Sequence, residues 1–323
     1  MYKLRVVTDL EECEQLWRKV IPEDTITDLW EVRECFDRHF SRPPHFFVAE
    51  NECVCGLVPT SWIEEYQRYV LFPGEIVGGY TWLEQNRVFA RDGDILQAML
   101  EFCPAAYDLS GLLPDCIPEH RRVVDEMSYL FRPRHYGWDL ENYFQEFSHR
   151  NAKKIKRQIA DLESRGVRYR YDDMGDYDLL VQMSISRFGE TSYFADPRFR
   201  EALRSLAVFL RERGWLRMTT VLIEGEVAAV DIGCVYRNVY TLLGGGTNSG
   251  FPGVAKLINL HHMRRACEWG VELADFLCGD FSWKTLFHLT PRPLYELSNA
   301  PSITPQHEGQ AVRSAACVEG TTS

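Results

Sequence analysis

The chain has 323 residues, 45% of them hydrophobic and 26% charged, which is long for one globular domain and comfortable for two. A net charge of −11 argues against a general nucleic-acid binder, because duplex binding rests on neutralising phosphates. No stretch approaches the roughly 20 apolar residues of a membrane helix, and the N-terminus has no signal-like hydrophobic region, so the expectation is a cytoplasmic protein without a membrane span.

In chain order, Lys3 to Val7 alternates as a strand, and Asp9 then opens a helix through Leu16, Trp17 and Val20, with Glu12 placed to complete a reciprocal cap. A second helix over about 28–40 stops at Arg42-Pro43-Pro44. Phe46 to Ala49 and Val54 to Val58 read as a hairpin across Glu50-Asn51-Glu52. From Val167 the same order begins again: a strand to Tyr171, a helix over 176–188, a helix over 198–213, then strands over 218–223 and 227–235. Strand, helix, helix, hairpin repeated about 165 residues apart points to a duplicated domain, although the residue identities barely match.

Between the repeats, Asp139 to Arg165 has helical composition and follows a junction at Arg132 to Gly137. The expected organisation is an N-terminal domain over 1–137, a basic bridging helix over 138–166, a C-terminal domain over 167–298 and a weakly ordered tail over 299–323. The helix concentrates Arg150, Lys153, Lys154, Lys156 and Arg157; this is either a solvated face or a docking patch for an anionic ligand such as a nucleotide, coenzyme A or tRNA. The ten cysteines include no CxxC pair and no zinc spacing, and His261 and His262 point about 100° apart on a helix. Reduced, mostly buried thiols and no metal are therefore expected.

The chemistry gathers in the C-terminal half. Val239 to Leu243 reads as a buried strand ending at Gly244-Gly245-Gly246, followed by a loop to Gly253 and a helix from Val254 to Trp269. A helix start offers unpaired N–H groups and partial positive charge to an anion, and glycines such as Gly250 and Gly253 let the backbone come close. A plain turn with a helix cap accounts for the same pattern, and neither GxGxxG nor GxxxxGK[ST] occurs. Asp231 lies in an apolar strand, where an unpaired carboxylate is costly to bury; alternation is equally compatible with its facing solvent. Beyond the strand over 273–277 come Asp280, Trp283 and Lys284.

Pro252-Gly253, Gly270, Asp275-Phe276, Gly279-Asp280 and Trp283-Lys284 fall in the order of a pattern that resembles the CelD/BcsL-type acetyltransferase family, GNAT-like proteins related to the Fem aminoacyltransferases. Trp283 stands where that family has Tyr. With looser matches upstream, the resemblance spans about residues 3 to 297. It implies an α/β protein of two tandem GNAT-type domains, each a mixed, mostly antiparallel sheet flanked by helices. It implies an acyl-CoA bound in the second domain by Gly244, Gly245, Gly250, Gly253, Val254 and Trp283, and transfer to an amine, from a small molecule or the cell envelope. Asp231 is the first candidate base or amine anchor and Asp280 the second, with Lys284 binding an anionic group or pairing with Asp280. The alternatives are aminoacyl transfer from charged tRNA, with the basic helix meeting RNA, and a GNAT-fold binding protein without catalysis.

Overall fold

The computed structural model describes residues 2–279, 284 and 286–300; Asp280, Trp283 and the expected tail from 301 onward lie outside the described residues. The described chain divides into two compact units, one of residues 2–127, 196–206 and 293–300, the other of 128–195 and 207–292. No helix among the described residues is long and apolar enough to cross a membrane.

The first unit begins with β1 (Lys3–Val7), α1 (Leu10–Val20), α2 (Trp30–Phe40), β2 (Pro44–Glu50) and β3 (Val54–Ile63). Asp9 caps α1 by accepting the Glu12 N–H at 2.9 Å, but the Glu12 carboxylate turns to Arg5 at 2.6 Å, so only one half of the expected reciprocal cap forms. Then come β4 (Arg68–Leu71), a small ribbon of β5 (Ile76–Val77) and β6 (Tyr80–Thr81), β7 (Phe89–Ala90), α3 (Gly93–Phe102) and β8 (Ala106–Leu112). The main sheet runs β1-β2-β3-β4-β8, antiparallel except for the parallel pair β4–β8. Helices cover both faces. Phe46, Val48 and Leu57 pack with Trp17 and Trp30 on one side, whereas Phe47, Ala49 and Val58 pack with Ile95, Leu96 and Met99 on the other. Burial on both faces is why β2 and β3 read as near-continuous apolar runs.

The chain passes into the second unit within β9 (Val123–Phe131). The expected single bridging helix is two: α4 (Leu140–Tyr143) runs into a 3₁₀ turn, Phe147 is extended and buried, and Ser148 starts α5 (His149–Glu163) by accepting the Asn151 N–H at 3.3 Å. A competent cap in mid-sequence breaks the helix where composition alone would continue it. There follow β10 (Arg168–Tyr171), α6 (Tyr177–Phe188), α7 (Pro197–Glu212), β11 (Leu216–Ile223), β12 (Glu226–Tyr236), β13 (Val239–Thr247), α8 (Val254–Trp269) and β14 (Leu273–Asp275). Within this unit the strand order is β9-β14-β13-β12-β11-β10, parallel only at β13–β14. On one face, α8 and the apolar side of α5 bury Leu162, Phe251, Val254, Leu257 and Ile258 against Val221, Ala228 and Ala229.

Two segments of the C-terminal half pack in the first unit. The start of α7 does so through Phe199, which meets Phe36 and Trp82 at ring-centroid distances of 6.2 and 5.6 Å. The last strand, β15 (Thr290–Ser298), pairs antiparallel with β8.

Candidate functional site

The site begins where two strands part. β14 pairs with β13 over Val239–Thr241 only, and from Leu242 onward that edge of β13 has no strand partner among the described residues. On its other edge β13 stays with β12, but the register slips: Ile232 faces Gly244 and Gly233 faces Leu242, which leaves Leu243 as the bulged residue. A bulge bends its strand and re-aims the residues beyond the kink. β14 meanwhile turns away through Leu277 and Gly279, both at positive φ. Lys284 holds that turn. Its buried ammonium donates to the carbonyls of Phe276 and Leu277 at 2.9 Å and of Cys278 at 2.6 Å, and it lies 5.3 Å from the Tyr129 ring centroid. The expected pairing of Lys284 with Asp280 lies outside the described residues.

The glycines are not where the sequence puts them. Gly244, Gly245 and Gly246 are inside β13, which runs on to Thr247, rather than in a loop beyond its end. Packing demands two of them: a Cβ on Gly245 would lie 2.2 Å from Asp231 Oδ1, and one on Gly246 would lie 2.9 Å from Met183 Cβ. The loop proper is Asn248 to Gly253. Asn248 ties it down, donating its N–H to Ala228 at 2.8 Å and accepting the Gly250 N–H at 2.9 Å on its side chain. Gly253 sits at φ +92°, in the left-handed region that glycine enters without strain, and no side chain caps α8. Val254 packs beneath that first turn as core. Beside the helix start is a cavity of about 610 Å³ lined by Gln182, Met183, Ser186 and Arg187 of α6 and by Thr247, Asn248 and Pro252. Arg187 donates to Thr247 Oγ1 at 3.2 Å from the cavity wall.

Asp231 is sealed in the core at 0% exposure, so the solvent-facing alternative is overturned. Its Oδ2 lies 2.8 Å from His262 Nε2, and His262 Nδ1 lies 3.1 Å from the Tyr240 hydroxyl, with all three side chains buried. β12, β13 and α8 are thus joined by one polar chain within the apolar interior. Burial raises the Asp231 carboxyl above its ordinary range, opposed by the hydrogen bond and charge of His262. Burial likewise lifts the Tyr240 phenol, with the charge of Asp231 adding to it. Asp231 Oδ1 has no hydrogen-bond partner among the described residues and faces the space that Gly245 leaves open.

Of the residues singled out from sequence, the structure brings Asp231 together with Gly245 and places Gly250 and Gly253 at the mouth of the α8 loop. Lys284 lies at the end of β14, while Asp280 and Trp283 are outside the described residues. Sequence reasoning missed His262, Tyr240 and Arg187. A signal for His262 existed: the 100° offset that makes His261 and His262 a poor metal clamp sends one toward Tyr169 and the other toward Asp231.

Residues 149–285 match the profile of the acetyltransferase (GNAT) domain family. A search of curated proteins finds no match. Among solved structures, FemX superposes with a TM-score of 0.57 at 11% identity, covering 92% of this chain and 98% of its own. L-PGS from Bacillus licheniformis gives 0.57 at 11% identity, over 90% of this chain and 91% of its own. The tandem GNAT protein from the clavulanic acid biosynthesis pathway gives 0.50 at 12% identity, over 94% and 100%. At such identities the likeness speaks for the fold alone, and that fold is the GNAT fold in tandem, with mostly antiparallel sheets flanked by helices.

Proposed function

We propose that the second unit transfers an acyl group, acetyl in the simplest case, from an acyl-CoA to an amine, of a small molecule or of the cell envelope. The observation that carries this reading is the parting of β13 from β14 after Thr241, which leads along an unpaired strand edge to the uncapped start of α8 and its 610 Å³ cavity. The residues there suit such a donor: Arg187 supplies a cation, and the α8 start supplies N–H groups and a dipole for phosphate oxygens.

In this reading the donor lies along β13, and backbone N–H groups of the unpaired edge polarise its thioester carbonyl. The amine nitrogen bonds to the carbonyl carbon as the C–S bond breaks, and the amine's proton leaves while the thiolate takes one up. No protein nucleophile is needed. Asp231 is too enclosed to meet an amine, so we assign it to holding His262 and β13 in place. Asp280 stays the second candidate base.

The test is thermal melting with acetyl-CoA, longer acyl-CoAs and free CoA, confirmed by calorimetry. A ligand held only by the folded protein at about 100 times its Kd adds roughly 2.7 kcal/mol. The expected stabilisation should disappear in Gly253→Val and weaken in Arg187→Ala. No heat with any CoA species would overturn the reading.

A second reading, aminoacyl transfer from charged tRNA, draws on the exposed basic face of α5, where Arg150, Lys153, Lys154 and Arg157 meet solvent. It predicts activity that collapses with added salt or ribonuclease.

A further inference from the structure

A second, smaller cavity of about 190 Å³ lies in the same unit between α4, α5, β10 and α8, and it shares no lining residue with the one beside the α8 start. That volume is below the roughly 300–1,000 Å³ usual for drug-sized or cofactor ligands, which limits its occupant to a small metabolite. Its wall combines Phe144, Ile159, Leu257 and Leu260 with Tyr169 and His261. Tyr169 and His261 stack at 3.9 Å between centroids and 12° between planes, giving the cavity a rigid aromatic side.

The charges around it are arranged unusually. Lys156 and Glu141 satisfy each other at 2.5 Å. Glu163, at the end of α5, and Arg264, on α8, also line the cavity, yet neither forms an ion pair, with the other or with any described residue. Both act on the same phenol: Tyr169 is pushed up to about 12 chiefly by burial, with Arg264 opposing the rise and Glu163 adding to it. The Tyr169 hydroxyl has no hydrogen-bond partner among the described residues. His261 is held neutral, pushed down to about 3 by burial and then by His262, Arg265 and Arg264, and its Nε2 is engaged by the Tyr171 hydroxyl at 3.2 Å. One cation, one carboxylate and one phenol therefore line a small, partly apolar space, the two charges on its exposed rim, without pairing with each other.

We propose that this cavity binds a free α-amino acid with an apolar side chain. Its carboxylate would meet Arg264 and the Tyr169 hydroxyl, its ammonium would meet Glu163, and its side chain would lie on Leu257, Leu260 and Ile159. An ordinary anion would leave Glu163 facing it, and a simple amine would leave Arg264 facing it. Only a ligand carrying both charges satisfies both. The site is independent of acyl transfer and of the donor cavity.

Calorimetry on the full chain with leucine, methionine and phenylalanine tests it, with 4-methylpentanoate and 3-methylbutylamine as single-charge controls. Binding of at least one amino acid is expected, with each single-charge control at least tenfold weaker. Arg264→Ala and Glu163→Gln should each weaken the amino acid at least tenfold while leaving the melting temperature of the ligand-free protein unchanged, as expected for rim residues. No heat with any amino acid at millimolar concentration would overturn the proposal. So would equal binding of a single-charge control, or binding that survives both substitutions.

Discussion

The two units carry one topology twice. Four antiparallel strands, β1 to β4 in the first and β10 to β13 in the second, are followed by a parallel neighbour, β8 or β14. A sixth, antiparallel strand completes each arrangement, β15 on β8 and β9 on β14, and each is the last strand of the other half's sequence. The chemistry is not repeated. β3 carries no carboxylate where β12 carries Asp231, and α3 has no histidine where α8 has two. Asp92 caps α3 by accepting the Ile95 N–H at 2.9 Å, whereas no side chain caps α8, whose Val254 N–H goes to the Phe251 carbonyl at 3.1 Å. A helix start with a side-chain carboxylate cap has fewer N–H groups left for a ligand than one without such a cap. On the function proposed above, the donor site belongs to the second unit, whose helix start has no side-chain cap.

The largest effect should come from breaking the buried chain that only the second unit has. Asp231→Ala strands the His262 nitrogen in the core and should cost about 3–5 kcal/mol in urea unfolding. Asp231→Asn keeps the shape and an acceptor oxygen and should cost less than half as much. Equal losses for the two would show that the carboxylate contributes nothing beyond its volume.

The helix starts give the next contrast. Gly253→Val forces a branched side chain to φ +92° and should cost about 1–3 kcal/mol together with donor binding. Asp92→Ala should cost about 1 kcal/mol and leave donor binding untouched. Loss of CoA binding in the Asp92 variant would move the donor site into the first unit.

The pH dependence gives a third contrast, and it has opposite signs in the two units. His261, pushed down to about 3 from an ordinary 6.5, binds its proton less readily folded than unfolded. Its contribution is complete above about pH 6.5 and declines as pH falls toward 3, by up to about 1.4 kcal/mol per pH unit. The groups around it are Tyr169 and Tyr171 on β10 and His262, Arg264 and Arg265 on α8. Asp37 on α2 is pushed up to about 6, mainly by burial and then by Glu34, so its charging penalty is complete above pH 6 and is relieved on acidification. Stability curves from pH 4 to 7 should therefore flatten in His261→Phe, which keeps a ring on Tyr169, and steepen in Asp37→Asn. The reverse pattern would show that neither burial acts as described.

Much of the fold was legible because it is local. Strand alternation placed β1 and β10, a short apolar run placed β2, and α8 spans the predicted Val254–Trp269 between Gly253 and Gly270, both in the left-handed conformation. The site was legible only in part. The glycine run looked like a loop because glycine in a strand is rare; here it lies within β13 because a carboxylate from the neighbouring strand and Met183 from α6 occupy the places of its side chains. Asp231 was conspicuous as a charge among Val227, Ala228 and Ala229, but its partner stands 31 residues away on another element.

Sequence by itself thus determined the order of elements, their repetition about 165 residues apart and the helix ends, all set by patterns within a few neighbouring residues. Only the tertiary structure decided that β15 and β9 complete sheets far from their neighbours in sequence, that β13 and β14 part after Thr241, and that Asp231 meets His262. Those are contacts between distant segments. They are chosen by which pairing buries the apolar faces and satisfies the buried polar groups together, and no local pattern encodes that choice.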